Sequence, residues 1–160
     1  MSDNSDKRQI LILDDEEMVL TSLRSFIELE TDYNVTTFTS PPEALEFIKS
    51  NYVDLVISDY LMPNMDGISF LAQVKKIDPH VTRIILTGYA DKENAIKAIN
   101  DVGLFQYIEK PWDNNDLKIV IRNGLEKKKL MEELDKKINE IQKAYGDLQG
   151  LHREILKTFA

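Results

Sequence analysis

The sequence predicts an α/β fold: five parallel strands in one doubly wound sheet, helices on both faces, and an extended helix at the C-terminus. Three observations carry this. Five short apolar runs alternate with segments of helical period. Five strand-then-helix units within about 120 residues leave a parallel sheet with right-handed crossovers, and are too few for an eightfold barrel. Polar and charged residues follow the runs directly, at the carboxyl edge where open sheets of this kind bind ligands.

Residues 1 to 8 are polar and are expected to form a flexible tail. Gln9 to Leu13 is the first strand, and Val19, Leu20, Leu23, Phe26 and Ile27 then line one face of a helix. Val35 to Thr39 is the second strand. Ser40-Pro41-Pro42-Glu43 has capping-box spacing with an early proline, and Ala44, Leu45 and Ile48 supply the inner face of the helix it opens. Asp54 to Ser58 is the third strand, followed by a helix with Ile68, Leu71, Ala72 and Lys75 to Ile77. Val81 to Leu86 is the fourth, followed by a helix with Ala95, Ile96 and Ile99 that stops before Gly103. Phe105 to Glu109 is the fifth, and the last helix begins near Asp113 to Asp116.

Composition narrows the chemistry. The chain has 160 residues, no cysteine, two histidines and a net charge of −8. That excludes disulfides, thiolate metal sites and cysteine nucleophiles, so metal or catalytic work rests on oxygen ligands. Residues 1–122 carry 12 basic and 21 acidic side chains, and residues 123–160 carry 8 and 7. Neither part offers a basic face for nucleic acid. No apolar run is long enough to span a bilayer or act as a signal peptide, so a cytoplasmic location is expected.

Asp14 and Asp15 follow the first strand, Asp59 the third, Thr87 the fourth and Lys110 the fifth. Each has an ordinary reading when taken alone: acids in a helix's first turn, a turn residue, a cap, a solvated lysine. Together they converge on one edge. Two carboxylates about 4 Å apart repel by roughly 4 kcal/mol at an effective dielectric near 20, so three call for a cation. An all-oxygen donor set points to Mg2+. A hydroxyl and an ammonium beside a metal-bound carboxylate are the parts phosphoryl chemistry uses, and a carboxylate can itself be the nucleophile.

Ile10-Leu11-Ile12-Leu13-Asp14-Asp15-Glu16, Val56 to Gly67 with Asp59 and Met62-Pro63, Ile84-Ile85-Leu86-Thr87-Gly88-Tyr89 and Tyr107-Ile108-Glu109-Lys110-Pro111 resemble the receiver domain of bacterial response regulators. The likeness covers about residues 8 to 126. It implies a flavodoxin-like, CheY-like sheet of strand order 2-1-3-4-5. It implies that Asp59 accepts a phosphoryl group from a sensor histidine kinase or a small acyl phosphate. Asp15 would bind Mg2+ directly and Asp14 through water, with the Leu61 backbone carbonyl as a further ligand. Thr87 and Lys110 would hold phosphoryl oxygens, Tyr107 would be the aromatic switch, and the Lys110-Pro111 bond would be cis. The residues two beyond Asp59 and Thr87, which flank the path of the attacking water in receivers, are here the bulky Leu61 and Tyr89. Slow autodephosphorylation is therefore expected.

The last helix runs on past the receiver, expected at 9–126, into 127–160. Met131, Leu134, Ile138, Ile141, Tyr145, Leu148, His152, Ile155 and Phe159 fall at alternating intervals of three and four. This predicts a dimeric coiled coil of about four heptads rather than a helix folded back on its own receiver. Gly146 and Gly150 are expected to bend or break it, His152 to set register, and Leu151 and Leu156 broaden the stripe. The pattern reaches Ala160, and an output domain is expected beyond it. The stretch Tyr107 to Leu117 resembles receivers joined to HD-GYP phosphodiesterases or to activators of the nitrogen-regulation type. Other readings are a stand-alone receiver and an aspartyl-nucleophile phosphatase. The phosphatase needs a second Asp where Leu61 stands. A nucleotide binder lacks its glycine-rich loop.

Overall fold

The computed structural model describes residues 7–158. Its strands are β1 (Gln9–Leu13), β2 (Asn34–Phe38), β3 (Leu55–Asp59), β4 (Thr82–Thr87) and β5 (Gln106–Glu109). The helices are α1 (Glu17–Glu30), α2 (Pro41–Ser50), α3 (Gly67–Ile77), α4 (Lys92–Asp101) and α5 (Asn114–Thr158), with a 3-10 turn over Tyr89–Asp91 ahead of α4. All strand pairs are parallel, in the order β2-β1-β3-β4-β5.

Alternation along each buried strand feeds two cores. Leu11, Leu13, Val56 and Ile85 pack with Ala44, Leu45, Phe70, Leu71, Val74, Ala95 and Ala98, so α2, α3 and α4 cover one face. Ile10, Ile12, Leu55, Ile57, Ile84 and Leu86 pack with Leu20, Leu23, Ile27, Leu117, Ile121 and Leu125, so α1 and the start of α5 cover the other. Strands buried on both faces explain the near-continuous apolar runs.

The details differ from the sequence pattern where helix phase or strand ends decide. Asp59 and Thr87 are the last residues of β3 and β4 rather than the residues after them. In α3 the Asp66 cap accepts from the Ser69 N–H at 2.7 Å and starts the helix at Gly67, turning Phe70, Leu71 and Val74 inward in place of Ala72 and Lys75. In α4 the buried positions are Ala95 and Ala98, while Ile96 is 43% exposed. Ser40 precedes α2 without a side-chain capping bond. Gly146 and Gly150 do not interrupt α5. Arg8, expected in the loose tail, bonds Asp54 at 3.2 Å. Residues 1–6 of that tail and the heptad residue Phe159 lie outside the described residues.

The chain divides into two compact units, one ending at Lys128 and one starting at Lys129. In the first, Gly124 lets α5 approach the sheet: a Cβ there would lie 2.8 Å from Thr82 Cγ2, and the Thr82 hydroxyl donates to the Gly124 carbonyl at 2.7 Å. In the second, Leu134, Ile138, Ile141, Tyr145, Leu148, Leu151, Ile155 and Leu156 are all exposed. Among the described residues no helix is long and apolar enough to cross a membrane.

Candidate functional site

Three carboxylates meet at the carboxyl edge of the sheet. Asp14, just past β1, is fully buried, Asp59 is nearly so at the end of β3, and Asp15 is exposed. Each offers an oxygen within 4.8 Å of the others. Lys110, in the loop after β5, places Nζ 2.7 Å from Asp59 Oδ1 and 3.4 Å from Asp14 Oδ2. The Glu16 N–H donates to Asp14 Oδ1 at 2.8 Å. The Lys110 N–H donates to the Thr87 carbonyl at 2.8 Å, tying that loop to the end of β4, and the Lys110-Pro111 bond is cis.

One ammonium among three carboxylates leaves two negative charges uncompensated. Burial pushes the Asp14 carboxyl up to about 6, opposed by the Glu16 N–H and reinforced by Asp59. Burial also raises Asp59, against the bond from Lys110. Burial alone would lower Lys110, but Asp59 and Asp14 outweigh it and hold the ammonium above its ordinary value. All-oxygen donors and a charge deficit of two fit a hard divalent cation.

The buried carboxyl sets a pH dependence. The folded protein holds the Asp14 proton more tightly than the unfolded chain does, so the linked stability is complete below the ordinary aspartate value of 3.8 and is lost as pH rises through about 6. The loss is roughly 3 kcal/mol by the linkage relation. Asp14→Asn is therefore expected to stabilise the metal-free protein at pH 7.5 by about 2 kcal/mol, an advantage that shrinks toward pH 4. Urea unfolding in chelator across that range checks it. A constant difference would show that Asp14 does not titrate there.

The other residues picked out in the sequence fall around this cluster. Thr87 is buried, and its hydroxyl donates to the Gly88 carbonyl at 3.2 Å. Tyr107 on β5 is partly buried, packs on the α2–α4 core, and lines a cleft of about 540 Å3 with Lys110, Trp112 and Val120. Leu61 and Tyr89 are 63% and 83% exposed. The sequence pattern did not single out Lys92, whose Nζ lies 3.4 Å from Glu109 Oε2 and 5.9 Å from the centre of the Tyr107 ring. Gly67, which closes the motif that begins at Val56 but has no assigned role there, is packed against the Asp59 carbonyl. Lys92 sits in the mixed-charge run Asp91-Lys92-Glu93, which reads as ordinary helix surface.

A doubly wound sheet with acids and a lysine at its carboxyl edge defines a class of phosphoryl-handling domain. The response regulator receiver domain family matches residues 10–122, and the chain belongs to that family. It is 34% identical over 123 residues to the hydrogenase transcriptional regulatory protein HoxA of Cupriavidus necator, covering 76% of this chain and 25% of HoxA. A response regulator receiver domain protein from Clostridium thermocellum superposes with a TM-score of 0.72 at 40% identity, over 78% of this chain and 98% of that one. The signal receiver domain of an HD domain-containing protein from Pseudomonas fluorescens superposes with a TM-score of 0.74 at 35% identity, over 79% and 93%. The chain spans about a quarter of the length of the curated relative it matches. It carries a phosphoacceptor receiver, a domain that works with histidine kinases and binds Mg2+ through acidic residues.

Proposed function

We propose that Asp59 is the phosphoacceptor and that the receiver acts as a phosphorylation switch on a dimeric helical linker. The observation that carries this is the Lys110–Asp59 contact of 2.7 Å inside the cluster of Asp14, Asp15 and Asp59. The Asp59 carboxylate attacks phosphorus of a kinase phosphohistidine or an acyl phosphate. A P–O bond forms and the bond to the leaving group breaks with its electron pair. Asp15, Asp59 and the Leu61 backbone carbonyl would hold Mg2+ directly, and Asp14 through water. The metal supplies charge neutralisation for the phosphoryl oxygens. Lys110 turns from Asp59 to the phosphoryl group, and Thr87 gives up the Gly88 carbonyl to donate to it. Tyr107 follows Thr87.

The dianionic group favours one of two arrangements of the segment from Thr87 through α4. Inverting a 1:99 population takes about 5.5 kcal/mol, within reach of a few charge-assisted hydrogen bonds and a repacked ring. The exposed stripe Leu134, Ile138, Ile141, Tyr145 and Leu148 supports pairing with a second copy, and this role includes no direct contact to nucleic acid or membrane. HoxA is named a transcriptional regulator, and the Pseudomonas protein carries an HD domain. Either kind of output fits a receiver followed by such a helix, in a cytoplasmic protein.

The test is treatment with acetyl phosphate and Mg2+, with the modified peptide mapped by mass spectrometry. The label is expected on the peptide that contains Asp59. Because Leu61 and Tyr89 position no water, its half-life is expected in hours, and decay within seconds would overturn that expectation. Sedimentation with and without beryllofluoride and Mg2+ reads the linker. A monomer in both states would refute the dimer.

A further inference from the structure

Helix α4 is fastened unequally at its two ends. Its fully buried side chains are Ala95 and Ala98, and Ile99 packs partly buried against the same core, so its larger apolar anchor lies toward the C-terminal end. Just past its C-terminus, the Gly103 carbonyl accepts from Arg83 Nη2 at 2.8 Å, and Arg83 is 4% exposed and also bonds the Leu71 carbonyl at 3.1 Å. That end is stitched to β4 and α3 by a buried guanidinium. At the N-terminus the polar tie is Lys92, the first helical residue, whose Nζ lies 3.4 Å from Glu109 Oε2. Both side chains are more than a third exposed. Glu109 pairs across the sheet with Thr87, and Tyr107, two residues earlier, presents its ring 5.9 Å from the same ammonium. Glu109 is the main cause that raises the Lys92 pKa, and the ammonium stays charged beside that carboxylate and over the Tyr107 ring.

We propose that Lys92 is a positioning residue for the switch: with Glu109 it forms a releasable latch that holds the first turn of α4 against β5 and the Tyr107 ring in its resting place. Phosphorylation has to open this latch, because Thr87 and Tyr107 cannot move toward the phosphoryl group while the strand end beside them is tied to α4. The buried Arg83–Gly103 bond stays and serves as the pivot. An exposed pair is weak, which suits a contact that must break on each cycle. The inference rests on Asp59 and Tyr107 acting as acceptor and switch.

The test uses the full chain and its single tryptophan, Trp112, which borders the same cleft as Tyr107. Beryllofluoride with Mg2+ is titrated while Trp112 fluorescence is recorded, and the rate of phosphorylation by acetyl phosphate is measured alongside. Lys92→Gln and Glu109→Gln are each expected to tighten beryllofluoride binding about two- to fivefold and to speed phosphorylation by a similar factor, since each removes a contact made only in the resting arrangement. The double charge reversal Lys92→Glu with Glu109→Lys is expected to return both values toward wild type, which a purely structural role for Lys92 would not produce. In a Tyr107→Ala background, Lys92→Gln is expected to lose most of its effect. If wild type responds to beryllofluoride and the single variants match it, or if the reversal fails to restore, the latch is wrong and the phosphoacceptor reading stands. If wild type itself neither responds nor takes up phosphate, that reading fails and the latch falls with it.

Discussion

Asp59→Asn is expected to abolish phosphorylation, with uptake from acetyl phosphate reduced by at least about a thousandfold. The carboxylate is the nucleophile, and an amide in its place is neither charged nor basic enough to attack phosphorus. Little else should change, because Asn fills the same volume and its carbonyl oxygen still accepts from Lys110, which now bonds Asp59 at 2.7 Å. A stability equal to or above wild type together with no label is the pattern expected of a lost nucleophile. Lys110→Met separates the roles further: the nucleophile remains but the ammonium that steadies the phosphoryl oxygens is gone, so phosphorylation slows by roughly a hundredfold without vanishing. Mass spectrometry of intact protein after acetyl phosphate treatment reads both variants. Label on Asp59→Asn at the wild-type level would place the acceptor elsewhere.

These residues were legible in the sequence because topology does the assembling. Once β1, β3, β4 and β5 are parallel strands of one sheet, the residues ending them share an edge however far apart they lie in the chain. Asp14, Asp59 and Lys110 could thus be brought together from five apolar runs alone. What escaped depends on phase or on contacts with no periodic signature. The inner face of α4 was legible in part: Ala95 and Ile99 meet the core as their spacing suggested, whereas the start at Lys92 turned Ala98 inward and left Ile96 half in solvent. Lys92 and Glu109 are 17 residues apart on different elements, and nothing in either local pattern announces the pair. Lys128 is the sharpest case. Inside Lys127-Lys128-Lys129 it reads as one more solvated cation, yet it is 1% exposed, with Asp54 at 3.7 Å and the Tyr52 hydroxyl at 2.7 Å. Charge composition put a step near residue 122, whereas the first compact unit runs through Lys128, where this buried cation still belongs to the receiver.

Gly67→Ala is expected to destabilise the receiver by roughly 3 kcal/mol, a large effect for one methyl group. After β3 ends at Asp59 the chain turns and comes back, and the Gly67 N–H donates to the Tyr60 carbonyl at 2.8 Å. That return brings the first residue of α3 so close to the strand end that a Cβ would land on the Asp59 carbonyl oxygen, with the Asp59 carbonyl carbon next at 2.9 Å and Tyr60 Cα at 3.1 Å. These are backbone atoms, so no rotamer change relieves the clash, and either α3 or the end of β3 must shift. Alanine gains about 1 kcal/mol over glycine in helix propensity, which offsets only part of the cost. The displaced group carries the phosphoacceptor, so slower phosphorylation is expected to accompany the lost stability. Gly88 is the control: it follows Thr87 directly, but a Cβ there meets nothing within 4 Å, and its φ of −80° suits any residue. Gly88→Ala is accordingly expected to leave stability unchanged or raise it by about 0.5 kcal/mol. Urea unfolding of both variants with matched m-values decides the matter. A Gly67→Ala protein as stable as wild type would mean that the turn after Asp59 has room to spare, and that the phosphoacceptor is not held from behind by α3.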